Sequence, residues 1–289
     1  MADGRKTIGI FGLGLIGSAV AKLLIGAGHD LRGFDPDPAR AEALADLGGT
    51  ACAEAEVWSA EVIFSCVFDT AQLAALIDAA PKGGCVLVSV STCDPDRMQG
   101  LADASAAKGI TLIEAPISGT SRALSDGDVL LMVAGDPKTV ERIAPLLDLL
   151  SRQFLHVGAI GNGNRAKLAI NLTLGLNRAA LAEGMVFAEC LGLAADDFLT
   201  IARASAAYSA AMDSKGALMA TRDFKPQGRI RQSAKDFTLI RDGAAAAGQG
   251  LPFTATYLEM MHDALEHDEG DLDNSAILLP ISRTPPATD

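Results

Sequence analysis

Three glycines near the start of the chain have the spacing of a turn that binds nucleotide phosphates. Gly12, Gly14 and Gly17 form the pattern G-x-G-x-x-G between an apolar run, Thr7–Phe11, and a run with helical spacing. The first glycine permits a tight turn, the second admits a pyrophosphate to the backbone, and the third lets helix and strand pack closely. An ordinary strand–helix turn with unrelated glycines is the alternative. The predicted dinucleotide contacts are Gly12, Leu13, Gly14, Leu15, Ile16 and Gly17.

An acidic residue after the next apolar run narrows the choice of dinucleotide. Asp35 follows the run Leu31–Phe34 and lies 21 positions after Gly14. A carboxylate at this spacing accepts hydrogen bonds from the ribose hydroxyls of the adenosine half and repels a 2′-phosphate. The next residues are Pro36 and Asp37, so no arginine immediately follows to bind such a phosphate. The sequence therefore favours NAD over NADP.

The segment EAPISG, Glu114–Gly119, supplies groups that bind an anion. Ser118, Gly119 and Thr120 offer backbone N–H groups and two hydroxyls, and such groups hold a carboxylate without a charged side chain. A simple turn made by proline and glycine explains the same residues equally well. Arg122 follows, either as a second anion contact or as a side chain that points to solvent.

A lysine and an asparagine in GAIGNGNRAKLAIN, Gly158–Asn171, have the spacing of a catalytic pair. Lys167 and Asn171 are four residues apart and therefore share one face of a helix, which Asn162 or Asn164 can cap. Burial among apolar neighbours and a nearby nicotinamide cation would lower the pKa of the lysine from about 10.4 towards neutrality. A general base that takes an alcohol proton needs such a pKa. A lysine that extends along the surface to water is the alternative.

The elements that carry these residues indicate an α/β fold with two domains. Apolar runs alternate with helical patterns at Ser18–Ala27, Pro38–Leu47 and Pro95–Lys108, which favours a parallel, doubly wound Rossmann sheet. The predicted strands are Thr7–Phe11, Leu31–Phe34, Val62–Phe68, Val86–Val90, Thr111–Glu114, Leu130–Ala134 and Phe154–Val157. After them the sequence predicts an all-α domain, joined through one long helix, Ala166–Leu191, that is apolar nearly all round. We expect residues 1–163 to bind the dinucleotide and residues 164–289 to form the helical domain for substrate binding and oligomerisation.

Composition excludes several classes of partner. The chain has 289 residues and a formal net charge of −12, and such a surface repels nucleic acid and anionic membranes. Its five cysteines are scattered, which is typical of free thiols in the cytoplasm. The four histidines lie outside the glycine turn and the segments Glu114–Gly119 and Gly158–Asn171, and no cluster has the spacing of metal ligands. We expect no metal site, and a long apolar helix that needs cover predicts a homodimer or homotetramer.

Taken together and in order, these segments resemble the β-hydroxyacid dehydrogenase family, which includes 3-hydroxyisobutyrate dehydrogenase and tartronate semialdehyde reductase. The segments that carry the resemblance are GLGLIGSAVAKLL, EAPISGTSRALSDGDVLLMVAG, GNGNRAKLAIN and AKDFTLIRD. In the last of these, residue types alone indicate that Lys235 and Asp236 form an exposed charge pair. Thr120 stands where the family usually has a second glycine, so the family's four-carbon substrates cannot be assumed.

The resemblance implies a role for each matching position. It makes Lys167 the general acid/base on the substrate hydroxyl and Asn171 its partner, and it gives Ser118 and Gly119 the substrate carboxylate. The implied cofactor contacts outside the glycine turn are Val67, Phe68, Gln72, Thr92 and Lys235. The expected reaction is reversible hydride transfer between NAD and the 3-hydroxyl of a small β-hydroxy acid. An imine reductase of the same fold and a non-catalytic NAD-binding protein are the alternatives, although relatives of both kinds often lack the lysine.

Overall fold

The computed structural model describes residues 5–286, so the outermost residues of the two expected domains, 1–4 and 287–289, lie outside the described residues. Contacts along the chain divide it into two compact units, with the boundary between Lys167 and Leu168. The sequence placed this boundary after residue 163, four residues earlier.

A parallel sheet of six strands organises the first unit. The strands are β1 (Thr7–Phe11), β2 (Asp30–Phe34), β3 (Thr50–Ala51), β4 (Val62–Ser65), β5 (Val86–Ser89) and β6 (Thr111–Glu114). Their order across the sheet is β3-β2-β1-β4-β5-β6, and every neighbouring pair is parallel. All residues of β4 and β5 are buried, as expected of central strands that helices cover on both faces. The doubly wound Rossmann fold is therefore confirmed.

Seven helices lie entirely within the described part of the first unit. They are α1 (Leu15–Gly26), α2 (Pro38–Asp46), α3 (Glu54–Val57), α4 (Thr70–Ala79), α5 (Met98–Ala106), α6 (Ser121–Ser125) and α7 (Pro137–Leu150). The predicted strand Val62–Phe68 is too long, because β4 ends at Ser65. The next residues form a turn in which the Phe68 N–H donates to the Gln72 side chain (2.9 Å).

Two of the predicted strands belong to a second, smaller sheet. Its strands are β7 (Ile117–Ser118), β8 (Leu130–Val133) and β9 (Gln153–His156), and β7 runs antiparallel to β8. The expectation that β8 and β9 extend the main sheet is wrong. The chain leaves the main sheet after β6 at Pro116, which has no N–H for a further ladder. The Pro116 carbonyl instead accepts from the Met132 N–H of β8 (3.1 Å).

Helices make up every regular element that the structure describes after β9. They are α8 (Asn162–Cys190), α9 (Ala195–Ala204), α10 (Ala210–Thr221), α11 (Ile230–Ala246), α12 (Pro252–Glu266) and α13 (Leu278–Arg283), with a short 3-10 helix at Asn274–Ile277. The core of the second unit packs Phe237 of α11 edge-on against Tyr257 of α12, with ring centroids 4.8 Å apart. Helix α8 passes the unit boundary without a break and has 29 residues. No helix in the described part of the chain is long and apolar enough to cross a membrane.

Candidate active site

The strand order of the main sheet determines where its loops gather. The chain moves outward from β1 to β2 and β3, and then returns to add β4 on the other side of β1. In open α/β sheets a ligand binds at this reversal, beyond the carboxyl ends of the strands. The glycine turn follows β1 directly, and the loop 66–69 follows β4. The topology therefore brings predicted cofactor residues from two loops to one edge.

The glycine turn has the backbone that a pyrophosphate requires. Gly12 has φ of +84°, and a Cβ there would lie 2.7 Å from the Cys66 carbonyl oxygen. A Cβ on Gly17 would overlap the Gly12 carbonyl oxygen, whereas at Gly14 the nearest atom, from Arg40, is 3.8 Å away. Gly14 caps α1 without a side-chain acceptor, and the first turn of α1 holds no acidic residue. The turn thus combines tight packing, an open backbone face and free N–H groups, which fit a dinucleotide.

Asp35 is buried beside this turn. One oxygen of its carboxylate accepts from the Leu13 N–H (2.7 Å) and the other from the Asp37 N–H (3.0 Å). The guanidinium of Arg40 lies 3.3 Å from the first oxygen. Arg40 was missed from the sequence, because only the residues directly after Asp35 were considered. Arg40 lies in the first turn of α2, five residues after Asp35, and its cation partly balances the charge that would repel a 2′-phosphate.

Hydrogen bonds hold the loops after β4 and β5 together. The Ser91 hydroxyl donates to the Val67 carbonyl (2.6 Å), and the Asp94 N–H donates to the Thr70 hydroxyl (2.8 Å). Thr92, a predicted cofactor contact, is buried in the second of these loops. The predicted residues Val67, Phe68 and Thr92 therefore lie in two connected loops, and Gln72 lies in the first turn of α4, which follows the first of them.

The predicted carboxylate-binding residues surround the end of β7. Gly119 has φ of +152°, and a Cβ there would approach Val129 to 2.5 Å, so the backbone at this point requires glycine. The Thr120 hydroxyl accepts from the Ala123 N–H (3.1 Å) and caps α6. Arg122 is exposed on that helix. The segment thus presents the backbone and hydroxyl of Ser118, while capping occupies the Thr120 hydroxyl.

Helix α8 begins on a buried carboxylate that the sequence analysis did not single out. The Glu114 side chain is fully buried at the end of β6 and accepts from the N–H groups of Gly161 (3.0 Å) and Gly163 (2.8 Å) and from the Asn164 backbone (3.4 Å) and side chain (3.2 Å). Asn162 and Asn164 were the expected caps; their side-chain oxygens accept from the Arg165 guanidinium (3.2 Å) and the Cys93 N–H (2.7 Å), respectively. Burial raises the pKa of Glu114, and the four N–H donors oppose that rise.

Lys167 lies on α8 in the turn after these donors. It is 7% exposed, so of the two positions that the sequence left open, buried or extended along the surface, the lysine has the buried one. Gly163, which donates to Glu114, precedes Lys167 by four residues and therefore lies on the same face of the helix. Asn171 follows by a further four residues and is half-buried. A buried ammonium group needs polar partners or a function.

A second buried carboxylate connects two predicted site residues of the second unit. Asp236 accepts from the Asn171 side-chain amide (2.8 Å), and its other oxygen lies 3.0 Å from the Lys235 ammonium. Asp236 is 6% exposed and the Lys235 side chain 16%, so the expectation of an exposed charge pair is wrong. Asp236 is four residues before the buried Ile240. The sequence signal that could have identified Asp236 as buried is its position on the apolar face of α11.

The fold and these residues define a nicotinamide-dinucleotide-dependent oxidoreductase. Residues 7–158 match the sequence profile described as the NAD-binding domain of 6-phosphogluconate dehydrogenase. Residues 161–281 match the profile described as the NAD-binding domain of NADP-dependent 3-hydroxyisobutyrate dehydrogenase.

Relatives cover almost the whole chain. A probable 3-hydroxyisobutyrate dehydrogenase of Mycobacterium tuberculosis is 30% identical over 94% of this chain and 96% of its own. Glyoxylate/succinic semialdehyde reductase 1 of Arabidopsis thaliana is 28% identical over the same shares. The solved structure of Mycobacterium tuberculosis 3-hydroxyisobutyrate dehydrogenase with L-serine is 28% identical and covers 97% of this chain and 100% of that one, with a TM-score of 0.82. This chain belongs to the β-hydroxyacid dehydrogenase family.

We expect Asp236 to stabilise the fold through its hydrogen bond with Asn171 and its ion pair with Lys235. Asp236→Ala leaves an amide and an ammonium group without their carboxylate, so it lowers the free energy of unfolding by about 1–3 kcal/mol. Urea denaturation followed by circular dichroism measures this change. Asp242→Ala is the matched control, because Asp242 lies on the same helix, is exposed and pairs only with its neighbour Arg241 among the described residues. Equal effects of the two substitutions would show that the Asp236 network adds no stability.

Proposed function

We propose that this protein catalyses reversible hydride transfer between NAD and the 3-hydroxyl of a small β-hydroxy acid, with Lys167 as general acid/base. The observation that carries the proposal is the burial of Lys167, 7% exposed, in the second turn of a helix that begins on Glu114 of the nucleotide-binding unit. A buried amine held at a fixed place is suited to proton transfer.

The proposed mechanism assigns the proton to the protein. Bound NAD supplies the hydride acceptor for oxidation, and its reduced form the donor for the reverse reaction. As the hydroxyl becomes a carbonyl, the Lys167 amine accepts the hydroxyl proton; in the reverse direction the Lys167 ammonium returns a proton to the carbonyl oxygen. Asn171 orients this lysine or binds the substrate. The bond from Asn171 to Asp236 fixes the amide with its N–H₂ group on the carboxylate.

The proposed substrate carries an anionic group and an alcohol or aldehyde on a short carbon chain. Two relatives of this chain are named as a probable 3-hydroxyisobutyrate dehydrogenase and a glyoxylate/succinic semialdehyde reductase, which are names of enzymes for small acids. A surface with a net charge of −12 requires a local site for such an anion. We assign that site to the N–H groups and hydroxyl around Ser118 and Gly119. We propose that Thr120 and Arg122 modify this anion site. Thr120 stands where the family usually has a second glycine.

The proposed cofactor is NAD, held by the glycine turn and Asp35. The further contacts that we propose are the loop residues Val67, Phe68 and Thr92, together with Gln72 of α4 and Lys235. Arg40 reduces the discrimination that the Asp35 carboxylate provides, because its cation lies beside that carboxylate. We therefore expect NAD to be preferred without NADP being rejected.

Replacement of Lys167 tests the central role. Lys167→Ala should lower kcat by about 100-fold or more, because proton transfer by a positioned side chain contributes that much. The assay follows NADH and NADPH absorbance with a panel of 3-hydroxyisobutyrate, serine, threonate, glycerate, tartronate semialdehyde, a hydroxysulfonate and a cyclic imine.

The exposed Lys22 of α1 provides the control, and Lys22→Ala should leave kcat unchanged. Near wild-type turnover of Lys167→Ala with a good hydroxy acid would refute the role of Lys167. Turnover of the imine alone would favour an imine reductase, and NADH binding without turnover of any compound would favour a binding protein.

Binding titrations test the choice of cofactor. Fluorescence titration should give a lower Kd for NADH than for NADPH, and Asp35→Ala should narrow or reverse that difference because it removes the negative charge facing the 2′ position. Arg40→Ala should weaken NADPH more than NADH, since the cation attracts the 2′-phosphate. A wild-type preference for NADPH would contradict the assignment of NAD.

We also propose that the chain forms a homodimer or homotetramer. Helices α8 and α9 leave large apolar side chains exposed in the chain alone: Phe187 is 63% and Ile201 58% exposed, and Leu191, just after α8, is 71% exposed. Side chains of this size are often covered by a second copy. Light scattering at micromolar concentration should give two or four times the mass of one chain, and Phe187→Glu should reduce it. A monomer would contradict the proposal.

A further inference from the structure

We propose that Glu114 is a positioning residue for the reaction, which holds Lys167 in place by binding the N-terminus of α8. The inference depends on the proposed role of Lys167 as general acid/base. It concerns the first unit alone, because Glu114, the start of α8 and Lys167 all lie before the boundary at residue 168.

The contacts of Glu114 fix the start of α8 at two levels. One carboxylate oxygen binds the Gly161 N–H, just before the helix, and the Asn164 side chain. The other binds the backbone N–H groups of Gly163 and Asn164 in the first turn. Four donors from three residues leave the helix little freedom to rotate or slide along its axis. A displacement of the first turn would move Lys167, which is one turn further along.

The chain is built for this close approach. A Cβ on Gly163 would lie 2.6 Å from a Glu114 oxygen and 2.9 Å from the Met132 carbonyl oxygen, so a larger residue would force the helix away from the sheet. Gly161 has φ of +94°, which turns its N–H towards the same carboxylate. The backbone of Glu114 is itself fixed, because it exchanges two hydrogen bonds of 2.9 Å with Ala134.

Asn164 extends the arrangement to a predicted cofactor loop. Its side-chain amide donates to Glu114, and its amide oxygen accepts from the Cys93 N–H (2.7 Å). Cys93 directly follows Thr92, a residue that we propose to contact the cofactor. One carboxylate thus sets the helix of Lys167 and, through Asn164, the backbone next to Thr92.

A carboxylate suits this position better than an amide of the same shape. Every group that faces the two oxygens in these contacts is a donor, and a partial positive charge at the helix N-terminus favours an anion. In Glu114→Gln, the N–H₂ donor of the new side chain faces N–H groups of the first turn of α8 and repels them. Glu114→Asp keeps the charge on a shorter side chain, so it should recover part of what the glutamine variant loses.

A double-mutant cycle on kcat tests the inference. Four enzymes are compared: the wild type, Glu114→Gln, Lys167→Ala and the double variant, with kcat expressed per NADH-binding site so that unfolded protein does not count. Glu114→Gln should lower kcat about 10-fold or more and leave the Kd for NADH within about threefold. If Glu114 acts through Lys167, the double variant should fall less than about threefold below Lys167→Ala, because coupled residues are not additive.

Asp136→Asn is the matched control. Asp136 also places a carboxylate at a helix N-terminus of the first unit, where it accepts from the Thr139 N–H (2.9 Å) at the start of α7. This variant should keep wild-type kcat. If Glu114→Gln does not fold, the same double-mutant cycle with Glu114→Asp tests whether Glu114 acts through Lys167.

The possible outcomes separate the two proposals. An unchanged kcat in Lys167→Ala would refute the proposed function itself. A large loss in Lys167→Ala together with an unchanged kcat in Glu114→Gln, or with fully additive losses, would refute the positioning role and leave the proposed function standing. A lower melting temperature of Glu114→Gln with unchanged kcat per site would assign Glu114 to stability alone.

Discussion

Glu114 puts a carboxylate out of reach of water, and that is costly unless donors replace the lost hydration. Four N–H groups at the start of α8 do so. Three of them are backbone N–H groups, which a helix N-terminus leaves without a partner in the helix, and the fourth is the Asn164 side-chain amide. The N-terminus of α8 needs an acceptor and the buried carboxylate needs donors, so the contact between them satisfies both. The position of Lys167 depends on this exchange, since the lysine lies one turn away on the same helix.

The parallel sheet provides the second constraint. Because its strand order reverses beside β1, the glycine turn and the loops after β4 and β5 meet at one edge. Gly12 and Gly17 leave no room for side chains there, while Gly14 keeps its backbone open. The start of α8 binds Glu114 at the end of β6, the strand beside β5. The cofactor residues and the catalytic lysine that we propose are thus placed by the ends of adjacent strands.

Local patterns in the sequence predicted much of this arrangement. The glycine spacing and the buried runs of β4 and β5 follow from short-range sequence alone, whereas the sequence left both a buried and a surface position open for Lys167. The roles of Glu114 and Asp236 do not follow from short-range sequence, because each depends on a partner brought near by folding. Arg40 is only five residues after Asp35 and was missed because only the residues directly after Asp35 were considered. Glu114 finds its donors 47 to 50 positions later, and Asn171 finds Asp236 after 65 positions. The strands β8 and β9 were assigned to the wrong sheet for the same reason, since strand pairing across a turn is not encoded locally.

The central claim is that Lys167 exchanges the proton of the substrate hydroxyl from a place fixed by Glu114. A crystal structure of the protein with NAD and the hydroxy acid that it turns over fastest tests this most directly. The account predicts the Lys167 Nζ within about 3.2 Å of the substrate 3-hydroxyl oxygen, with the Glu114 carboxylate still bound to the start of α8. A lysine directed away from that oxygen, with another acid or base in its place, would contradict it.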